Sequence, residues 1–207
     1  MNAIKVLGIG PGHPDYCLPI VQRKVNECDV VVGGKRQLAM FNLRDTQKSI
    51  PFHYPMDQMM LEIQSVSESH KVGVLVSGDA GFYSLLAALI KQFGKENLEV
   101  YPGISSLQYL FSKLSMPWSQ VELGSLHGRE WNWIERIRMG KTMGLLTDAK
   151  QSPIWIANQL INEGLQDCWM VVGENLSYPE ERIEKLRPED VIARKYESLC
   201  VVVITYE

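Results

Sequence analysis

The chain has 207 residues, of which 45% are hydrophobic and 22% charged, so it can bury a large core in one or two domains and is not a disordered chain. Its 24 acidic residues outnumber its 21 basic ones, and the net charge of −3 excludes a general basic field for nucleic acid. Four cysteines lack the spacing of a zinc site or a disulfide framework, and we expect them to be small buried residues of a reducing compartment: Cys17, Cys28, Cys168 and Cys200.

Short runs of valine, isoleucine and leucine alternate with longer helical patterns in the first half of the chain, which predicts an α/β domain whose sheet is covered on both faces. The first run begins near the N-terminus with no apolar stretch long enough for a signal peptide or a membrane span, so we expect a cytoplasmic protein without a membrane partner. Strands are predicted at 4–9, 30–32, 72–76 and 98–101. Helices are predicted at 18–27, 35–41, 56–69, 80–93 and 105–114.

The pattern loosens at 115–128, where Pro117 and Gly124 interrupt any single period. We therefore predict a domain boundary there, with domains at 1–115 and 116–207. Beyond the boundary, strands are predicted at 142–147, 169–172 and 200–206, and a helix at 154–162. These elements predict a second α/β unit, and no tandem repeat is present.

A glycine-rich turn at 8–12, the first glycine turn, follows the first predicted strand. Glycine lets the backbone bend sharply and approach a ligand closely. The turn is not the dinucleotide-binding fingerprint, because Pro11 removes an amide and 12–15 cannot start a regular helix at once. An ordinary tight turn is the alternative interpretation.

Two further turns follow predicted strands. The second glycine turn, 77–79, places Asp79 where it would cap the predicted helix 80–93, and capping alone is the alternative to ligand binding. The third glycine turn, 102–106, offers two serine hydroxyls and the free amides of a helix N-terminus. Because carboxyl ends of parallel strands share one edge of a sheet, we expect the three turns to form one ligand site.

In order and spacing, the three glycine turns resemble the motifs of the tetrapyrrole methylase family. The segments 146–148 and 172–176 extend this resemblance over nearly the whole chain. The stretches 31–36, 125–129 and 173–183 resemble the branch that methylates C5 of cobalt-precorrin-7 in cobalamin biosynthesis. One departure is Ala80, which stands where many relatives have proline.

The resemblance implies the two-domain, class III S-adenosylmethionine-dependent methyltransferase fold, in which each domain is an α/β sandwich. The N-terminal domain would carry a substrate trough and the C-terminal domain would complete the donor site. S-adenosyl-L-methionine would be the donor, S-adenosyl-L-homocysteine the product, and the protein a homodimer. Carried over residue by residue, the expected donor contacts are Pro11, Ser77, Gly78, Asp79, Phe82, Ser105, Ser106, Thr147, Glu174, Asn175 and Leu176.

Methyl transfer from a sulfonium to an electron-rich ring needs mainly positioning and desolvation, and Asp79 is interpreted as a polar anchor for the donor or for its own loop. His127 and Asp15 are the candidate bases, with a structural hydrogen bond as the alternative for His127. No metal site is predicted.

The corrinoid substrate carries several carboxylates, which planar arginine side chains pair bidentately. The candidate substrate contacts are Gly10, Gly12, Lys35, Arg36 and Arg129, with solvated surface charge as the alternative for Lys35. Trp118 and Trp131 are candidate trough residues. Trp155 and Trp169 are predicted to belong to the core.

Several other activities remain open alternatives at this point. Related methyltransferases act on another ring carbon, on diphthamide intermediates or on ribosomal RNA ribose, although the charge balance disfavours RNA. A nicotinamide-dependent oxidoreductase predicts an acidic residue after the second strand, where this chain has Gly33-Gly34. A non-catalytic tetrapyrrole or nucleotide carrier is the third class. We expect the companion C15 methylation and decarboxylation to belong to a separate protein.

Overall fold

The computed structural model describes residues 2–126 and 132–206. The chain forms two compact units, Met1–Ser105 and Ser106–Glu207. The division follows Ser105, whereas the sequence predicted it after Ser115. The physical reason is that helix α5 (Ser106–Lys113) packs on the second unit, where a Cβ on Gly144 would lie 3.1 Å from the ring of Phe111.

The first unit contains a five-stranded sheet in which all neighbouring strands are parallel. The strand order is β3-β2-β4-β1-β5. Alternate residues of β1 serve opposite faces: Ile4 and Val6 belong to one core cluster and Leu7 to another. The strands are β1 (Ile4–Gly8), β2 (Val30–Gly33), β3 (Lys48–Pro51), β4 (Val72–Val76) and β5 (Leu98–Tyr101).

Helices cover both faces of this sheet, as predicted. The helix α1 (Pro19–Asn26) buries Val21 and Val25 on one face, while α3 (Met56–Ser67) and α4 (Leu86–Phe93) pack on the other. Between them, the short α2 (Lys35–Leu38) follows β2. The predicted helix at 80–93 was wrong at its start, because Tyr83 has a φ of 48° and α4 begins only at Leu86.

The second unit contains a five-stranded mixed sheet of order β6-β7-β10-β8-β9. The strands β6 and β7 are parallel, and the other neighbouring pairs are antiparallel. Hence β6, β7 and β8 run in the same direction and end at the edge where β10 begins. The strands are β6 (Glu122–Ser125), β7 (Met143–Leu146), β8 (Trp169–Glu174), β9 (Arg182–Leu186) and β10 (Cys200–Thr205).

One hydrophobic cluster fills the second unit, built from alternate residues of β7, β8 and β10 and from helix residues such as Ile156 and Leu160. Trp155 packs against this cluster, as predicted. Trp169 is only half-buried, and the guanidinium of Arg187 lies 3.6 Å from its ring centroid, so its core prediction was wrong. The remaining helices are α6 (Trp133–Arg138), α7 (Pro153–Asn162) and α8 (Pro188–Val191).

The four cysteines are free, and all four are buried, as predicted. Among the described residues, no helix combines the length and the apolar character needed to span a membrane.

Candidate functional site

The three glycine turns contact one another at the carboxyl edge of the first sheet. A Cβ on Gly8 would lie 2.6 Å from the amide nitrogen of Gly103 and 3.0 Å from the carbonyl oxygen of Gly78. A Cβ on Gly103 would lie 2.2 Å from that same Gly78 oxygen. Only glycine permits backbones to approach this closely. The predicted convergence of the three turns on the first unit is therefore confirmed.

Two hydrogen bonds join the first and second turns directly. The Gly78 amide donates to the Gly10 carbonyl (2.8 Å), and the Gly10 amide donates to the Gly78 carbonyl (3.2 Å). Both glycines have positive φ, 85° at Gly10 and 68° at Gly78, which side chains rarely tolerate. Pro11 and Gly12 continue from this bridge into a short 3-10 turn at Pro14–Tyr16.

Asp79 joins the second turn to the third. Its Oδ2 accepts a hydrogen bond from the Gly103 amide at 3.0 Å, and its Oδ1 accepts one from the Gly81 amide at 2.8 Å. The alternative interpretation, in which Asp79 only caps the helix after it, does not fit, because α4 begins seven positions later at Leu86. Asp79 instead anchors the second turn to the third. Of the two roles predicted for it, anchoring the donor or anchoring its own loop, these contacts support the second.

Ser77 links the second turn to the end of β2. Its Oγ accepts a hydrogen bond from Nε2 of Gln37 at 2.8 Å, while Oε1 of Gln37 accepts from the Gly34 amide at 2.7 Å. The two candidate cations on α2, Lys35 and Arg36, are exposed. Gln37 thus holds the helix that carries them against the second turn, and sequence reasoning missed it because a lone glutamine has no distinctive pattern.

Phe82 and Tyr83 follow the second turn as an aromatic pair. Their ring centroids lie 4.8 Å apart at an angle of 75°, an edge-to-face arrangement. Ser84 donates to the Ala80 carbonyl, and its Oγ accepts from the Leu86 amide at 3.2 Å. The loop is therefore closed by its own side chains before α4 begins.

Ser105 and Ser106 sit at the end of the third turn. Ser105 is buried, and a Cβ on Gly78 would lie 3.4 Å from its Cα. Ser106 is the first residue of α5. Ser105 accordingly lies beside the second turn, as the sequence predicts.

The candidate catalytic residues are less well defined. Asp15 is 84% exposed in its side chain, and its Oδ2 lies 3.6 Å from Nδ1 of His13. The Asp15 amide also donates to that nitrogen at 3.2 Å. The other candidates His127 and Arg129, together with Trp131, lie outside the described residues. Trp118 is 42% exposed and stacks on Phe111.

In the second unit, the candidate donor contacts lie where β7 and β8 end and β10 begins. Thr147 donates its hydroxyl hydrogen to the Cys200 carbonyl at 2.7 Å. The Asn175 amide donates to the Leu199 carbonyl at 2.9 Å. Both residues are therefore attached to the start of β10, and Leu176 is buried beneath Gly173 of β8.

Glu174 is a buried carboxylate with partners of its own. Its Oε2 accepts from Nε of Arg182 at 2.7 Å, and its Oε1 accepts from the Glu197 amide. The donor contact predicted at this position stays a prediction. Sequence reasoning did not select Arg182, whose importance depends on its position opposite Glu174 across β8 and β9.

Glu181 ties the segment after β8 to α5. Its Oε2 accepts from the Ser177 amide at 2.7 Å, and its Oε1 lies 3.2 Å from Nζ of Lys113. Burial alone would raise the pKa of Glu181, but hydrogen bonds from Tyr109, from the Ser177 amide and from Lys113 outweigh it and leave the pKa lowered. A side-chain hydrogen bond with Tyr109, followed by the hydrogen bond and charge of Glu181, raises the pKa of Lys113.

Within the described ranges 2–126 and 132–206, no three His, Cys, Asp or Glu side chains form a group that could hold a metal ion.

Comparison with known proteins places these turns in a known family. The family model of tetrapyrrole (corrin/porphyrin) methylases matches residues 3–191. The chain is 31% identical to a cobalt-precorrin-7 C(5)-methyltransferase of Salmonella typhimurium, over 97% of this chain and 98% of that protein. It is 30% identical to a probable cobalt-precorrin-7 C(5)-methyltransferase of Methanocaldococcus jannaschii, over 97% and 96%.

A longer relative and two solved structures extend the comparison. A precorrin-6Y C(5,15)-methyltransferase [decarboxylating] of Sinorhizobium sp is 26% identical over 87% of this chain but only 44% of its own length. A cobalt precorrin-4 methyltransferase has a TM-score of 0.83 at 16% identity, covering 98% of this chain and 94% of the other. The uroporphyrin-III C-methyl transferase of Thermus thermophilus, complexed with S-adenyl homocysteine, has a TM-score of 0.76 at 18% identity, covering 99% and 92%. At these identities the two structures establish the fold.

Proposed function

The chain belongs to the tetrapyrrole (corrin/porphyrin) methylases, and from this premise we propose that it transfers a methyl group from S-adenosylmethionine to C5 of cobalt-precorrin-7 in cobalamin biosynthesis. The observation that carries the proposal is the match to a cobalt-precorrin-7 C(5)-methyltransferase along 97% of this chain and 98% of that relative. The ring position rests on this match, because the fold is shared by methyltransferases with other substrates.

The geometry of the first unit supports donor binding. Three glycine-containing turns lie together at the carboxyl ends of parallel strands, where ligands of open α/β sheets bind. Ser77 and Ser105 supply hydroxyls within the second and third turns, and Phe82, whose amide donates to the Asp79 carbonyl, follows the second turn. This combination of backbone, hydroxyl and aromatic surface suits a nucleoside with an amino-acid tail, so the residues fit the donor.

The donor supplies an already activated methyl group, bound to a sulfonium, for the electron-rich tetrapyrrole. The work left to this chain is positioning and the exclusion of water. We assign Pro11, Ser77, Gly78, Phe82 and Ser105 to donor contact on the first unit. Asp79 acts by holding the turns together, since both of its oxygens accept backbone hydrogen bonds.

The donor contacts in the second unit are assigned to Ser106, Thr147, Asn175 and Leu176. Lys35 and Arg36, exposed on α2 beside the second turn, are the described cations assigned to substrate carboxylates. Substrate binding is also assigned to Gly10, Gly12 and Arg129. The candidate bases are His127 and Asp15.

Two wider proposals accompany the activity. The companion C15 methylation and decarboxylation are assigned to another protein, because the chain matches less than half of the C(5,15) relative but nearly all of a relative named for C5 alone. We also propose that the protein is a homodimer, which the family resemblance supports. A cytoplasmic location is proposed as well, and the four free, buried thiols support it.

The activity is tested with the purified chain, methyl-labelled S-adenosylmethionine and cobalt-precorrin-7. We expect one methyl group in the product, assigned to C5 by NMR, with S-adenosylhomocysteine as coproduct and no release of carbon dioxide. Methylation at another carbon overturns the assignment to C5. Release of carbon dioxide overturns the proposal that a separate protein carries out the decarboxylation. In parallel calorimetry, binding of NAD in place of S-adenosylhomocysteine would overturn the whole assignment in favour of an oxidoreductase.

A further inference from the structure

The turn that follows β8 has an unusual backbone. Asn175 and Ser177 have φ angles of 47° and 69°, in the left-handed region that residues with side chains rarely adopt. We call residues 175–177 the β8 turn. Two left-handed residues in three positions cost free energy, and they persist only where surrounding contacts hold them. Such backbone clusters at ligand sites.

The surroundings that hold the β8 turn begin with Glu174. Its side chain is 6% exposed, and both carboxylate oxygens have partners. Oε2 accepts from Nε of Arg182 and lies 2.7 Å from Nη2 of the same side chain, while Oε1 accepts from the Glu197 amide. A buried carboxylate with two oriented donors is fixed in position.

Arg182 extends this arrangement to a third segment. Besides Glu174, it donates from Nη2 to the Lys195 carbonyl at 2.7 Å, and its guanidinium lies 5.4 Å from the ring centroid of Tyr196. The pair therefore joins the end of β8, the start of β9 and the loop before β10. The Asn175 amide, bonded to the Leu199 carbonyl, attaches the β8 turn to the same loop.

These contacts argue against Glu174 as a donor ligand. The Glu174 side chain is buried and its two oxygens are oriented toward Arg182 and the Glu197 amide, so a donor atom would have to enter this buried cluster to reach the carboxylate. The segment whose shape depends on those contacts is the β8 turn, which carries Asn175 and Leu176. The influence of Glu174 on the donor is thus indirect.

We propose that Glu174 and Arg182 form a positioning pair that fixes the β8 turn for S-adenosylmethionine, and that the Glu174 carboxylate does not touch the donor. The inference rests on the proposed function, since it assigns the β8 turn to donor binding. It replaces a contact role for Glu174 with a role in shaping the turn.

The chain offers a matched control for this pair. Glu184 is on β9, two positions after Arg182, and its Oε2 lies 3.7 Å from Nε of that arginine. It also pairs with Arg194 at 3.8 Å. Glu184→Gln removes a comparable charge from the same ion cluster and leaves the Glu174 contacts in place.

The test measures S-adenosylhomocysteine binding by calorimetry for the wild type, Glu174→Gln, Arg182→Lys and Glu184→Gln, with circular dichroism to verify folding. In Glu174→Gln the new amide group faces a hydrogen-bond donor, either Arg182 or the Glu197 amide. In Arg182→Lys the single ammonium group cannot contact Glu174 and the Lys195 carbonyl together. We expect the Kd to rise about tenfold in the first two variants, equivalent to 1.4 kcal/mol, and to stay within about twofold in Glu184→Gln. If Glu174→Gln does not fold, Arg182→Lys carries the test.

Two additional readouts separate positioning from general structure. Saturating S-adenosylmethionine should restore kcat in Glu174→Gln, so the loss falls on KM for the donor. Amide hydrogen exchange should accelerate in the β8 turn of that variant and not in Glu184→Gln. Unchanged affinity in folded Glu174→Gln and Arg182→Lys, or equal loss in Glu184→Gln, overturns the positioning role alone. Absence of S-adenosylhomocysteine binding by the wild type overturns the proposed function and this inference together.

Discussion

The carboxylate of Asp79 accepts a hydrogen bond from the backbone amide of Gly103, with 3.0 Å between Oδ2 and the nitrogen. Its other oxygen accepts from the Gly81 amide, so Asp79→Ala leaves two amides without this partner. We expect a loss of about 2 kcal/mol in the free energy of unfolding, measured with urea, and weaker S-adenosylhomocysteine binding. Asp79→Asn should lose less, since it retains one acceptor. The exposed Asp45→Ala is the control, and similar stability of Asp79→Ala and this control would contradict the prediction.

Gly8→Ala should push the glycine turns apart. The new Cβ would lie 2.6 Å from the Gly103 nitrogen, which is backbone and cannot rotate away. We expect about 1–3 kcal/mol of destabilisation, as in other overpacked sites, with weaker donor binding. Gly34→Ala is matched, since its Cβ would meet only Gln37 at 3.4 Å and its φ is −64°. Equal stability of the two variants in urea would argue against the close approach of the turns.

Glu181 should make stability depend on pH. Its pKa is lowered from the ordinary value of 4.5, so the ionised form stabilises the fold. That contribution is complete above pH 4.5 and is lost as the pH falls through the folded-state value. The stability difference between the wild type and Glu181→Gln should therefore be largest near neutral pH and shrink in acid, as followed by urea unfolding. Glu68→Gln, at an exposed carboxylate, is the control, and the same pH trend in both variants would contradict the prediction.

The cysteines should resist alkylation in the native protein. Burial raises the pKa of the Cys28 and Cys168 thiols to about 11 and that of Cys200 to about 12. At pH 8 a thiol of pKa 11 is thiolate in roughly one molecule per thousand, and thiolate is the reactive form. Iodoacetamide with mass spectrometry should modify none of the three natively and all four cysteines in guanidinium. Rapid native labelling of any of the three would show that the site opens.

Ser115→Gly should stabilise the protein. Ser115 ends α5 with a φ of 51°, and the Met116 amide bonds the Phe111 carbonyl at 3.0 Å, the pattern of a Schellman cap. A residue with a side chain costs about 1–2 kcal/mol in the left-handed backbone conformation. Glycine avoids this cost, but its greater flexibility in the unfolded chain offsets about 0.5–1 kcal/mol of the gain. We expect a net gain of about 0.5–1 kcal/mol in thermal or urea unfolding. Ser112→Gly, inside the same helix, should instead destabilise by about 1 kcal/mol.

Buried strands could be predicted from the sequence, whereas three of the four edge strands could not. The runs of β1, β2, β4, β7, β8 and β10 are apolar because both faces of each sheet are covered. By contrast, β3, β6 and β9 lie at sheet edges and carry polar or charged residues, as in Arg182–Leu186. Edge strands use such residues against aggregation, and this removes the apolar signal on which prediction depends.

The same limit applies to the site. Glycine directly after a predicted strand predicted the three turns, because that pattern is local. The bond from Gly103 to Asp79 spans 24 positions, and Arg182 opposes Glu174 only once β8 and β9 are paired. Neither relationship has a local signature, so the sequence predicts neither the Gly103 partner of Asp79 nor the Arg182 partner of Glu174.

The clasp among Gly8, Gly78 and Gly103 is built of main chain. Besides the glycines, its contacts include one anchoring side chain, the Asp79 carboxylate that accepts a hydrogen bond from the Gly103 amide. In the proposed function this clasp lies against the donor, so we expect substitutions in the flanking loops to change the preference for the macrocycle while donor binding is retained. For protein engineering, this separates two tasks: acceptor specificity is a matter of side-chain replacement, whereas the clasp glycines are to be left intact.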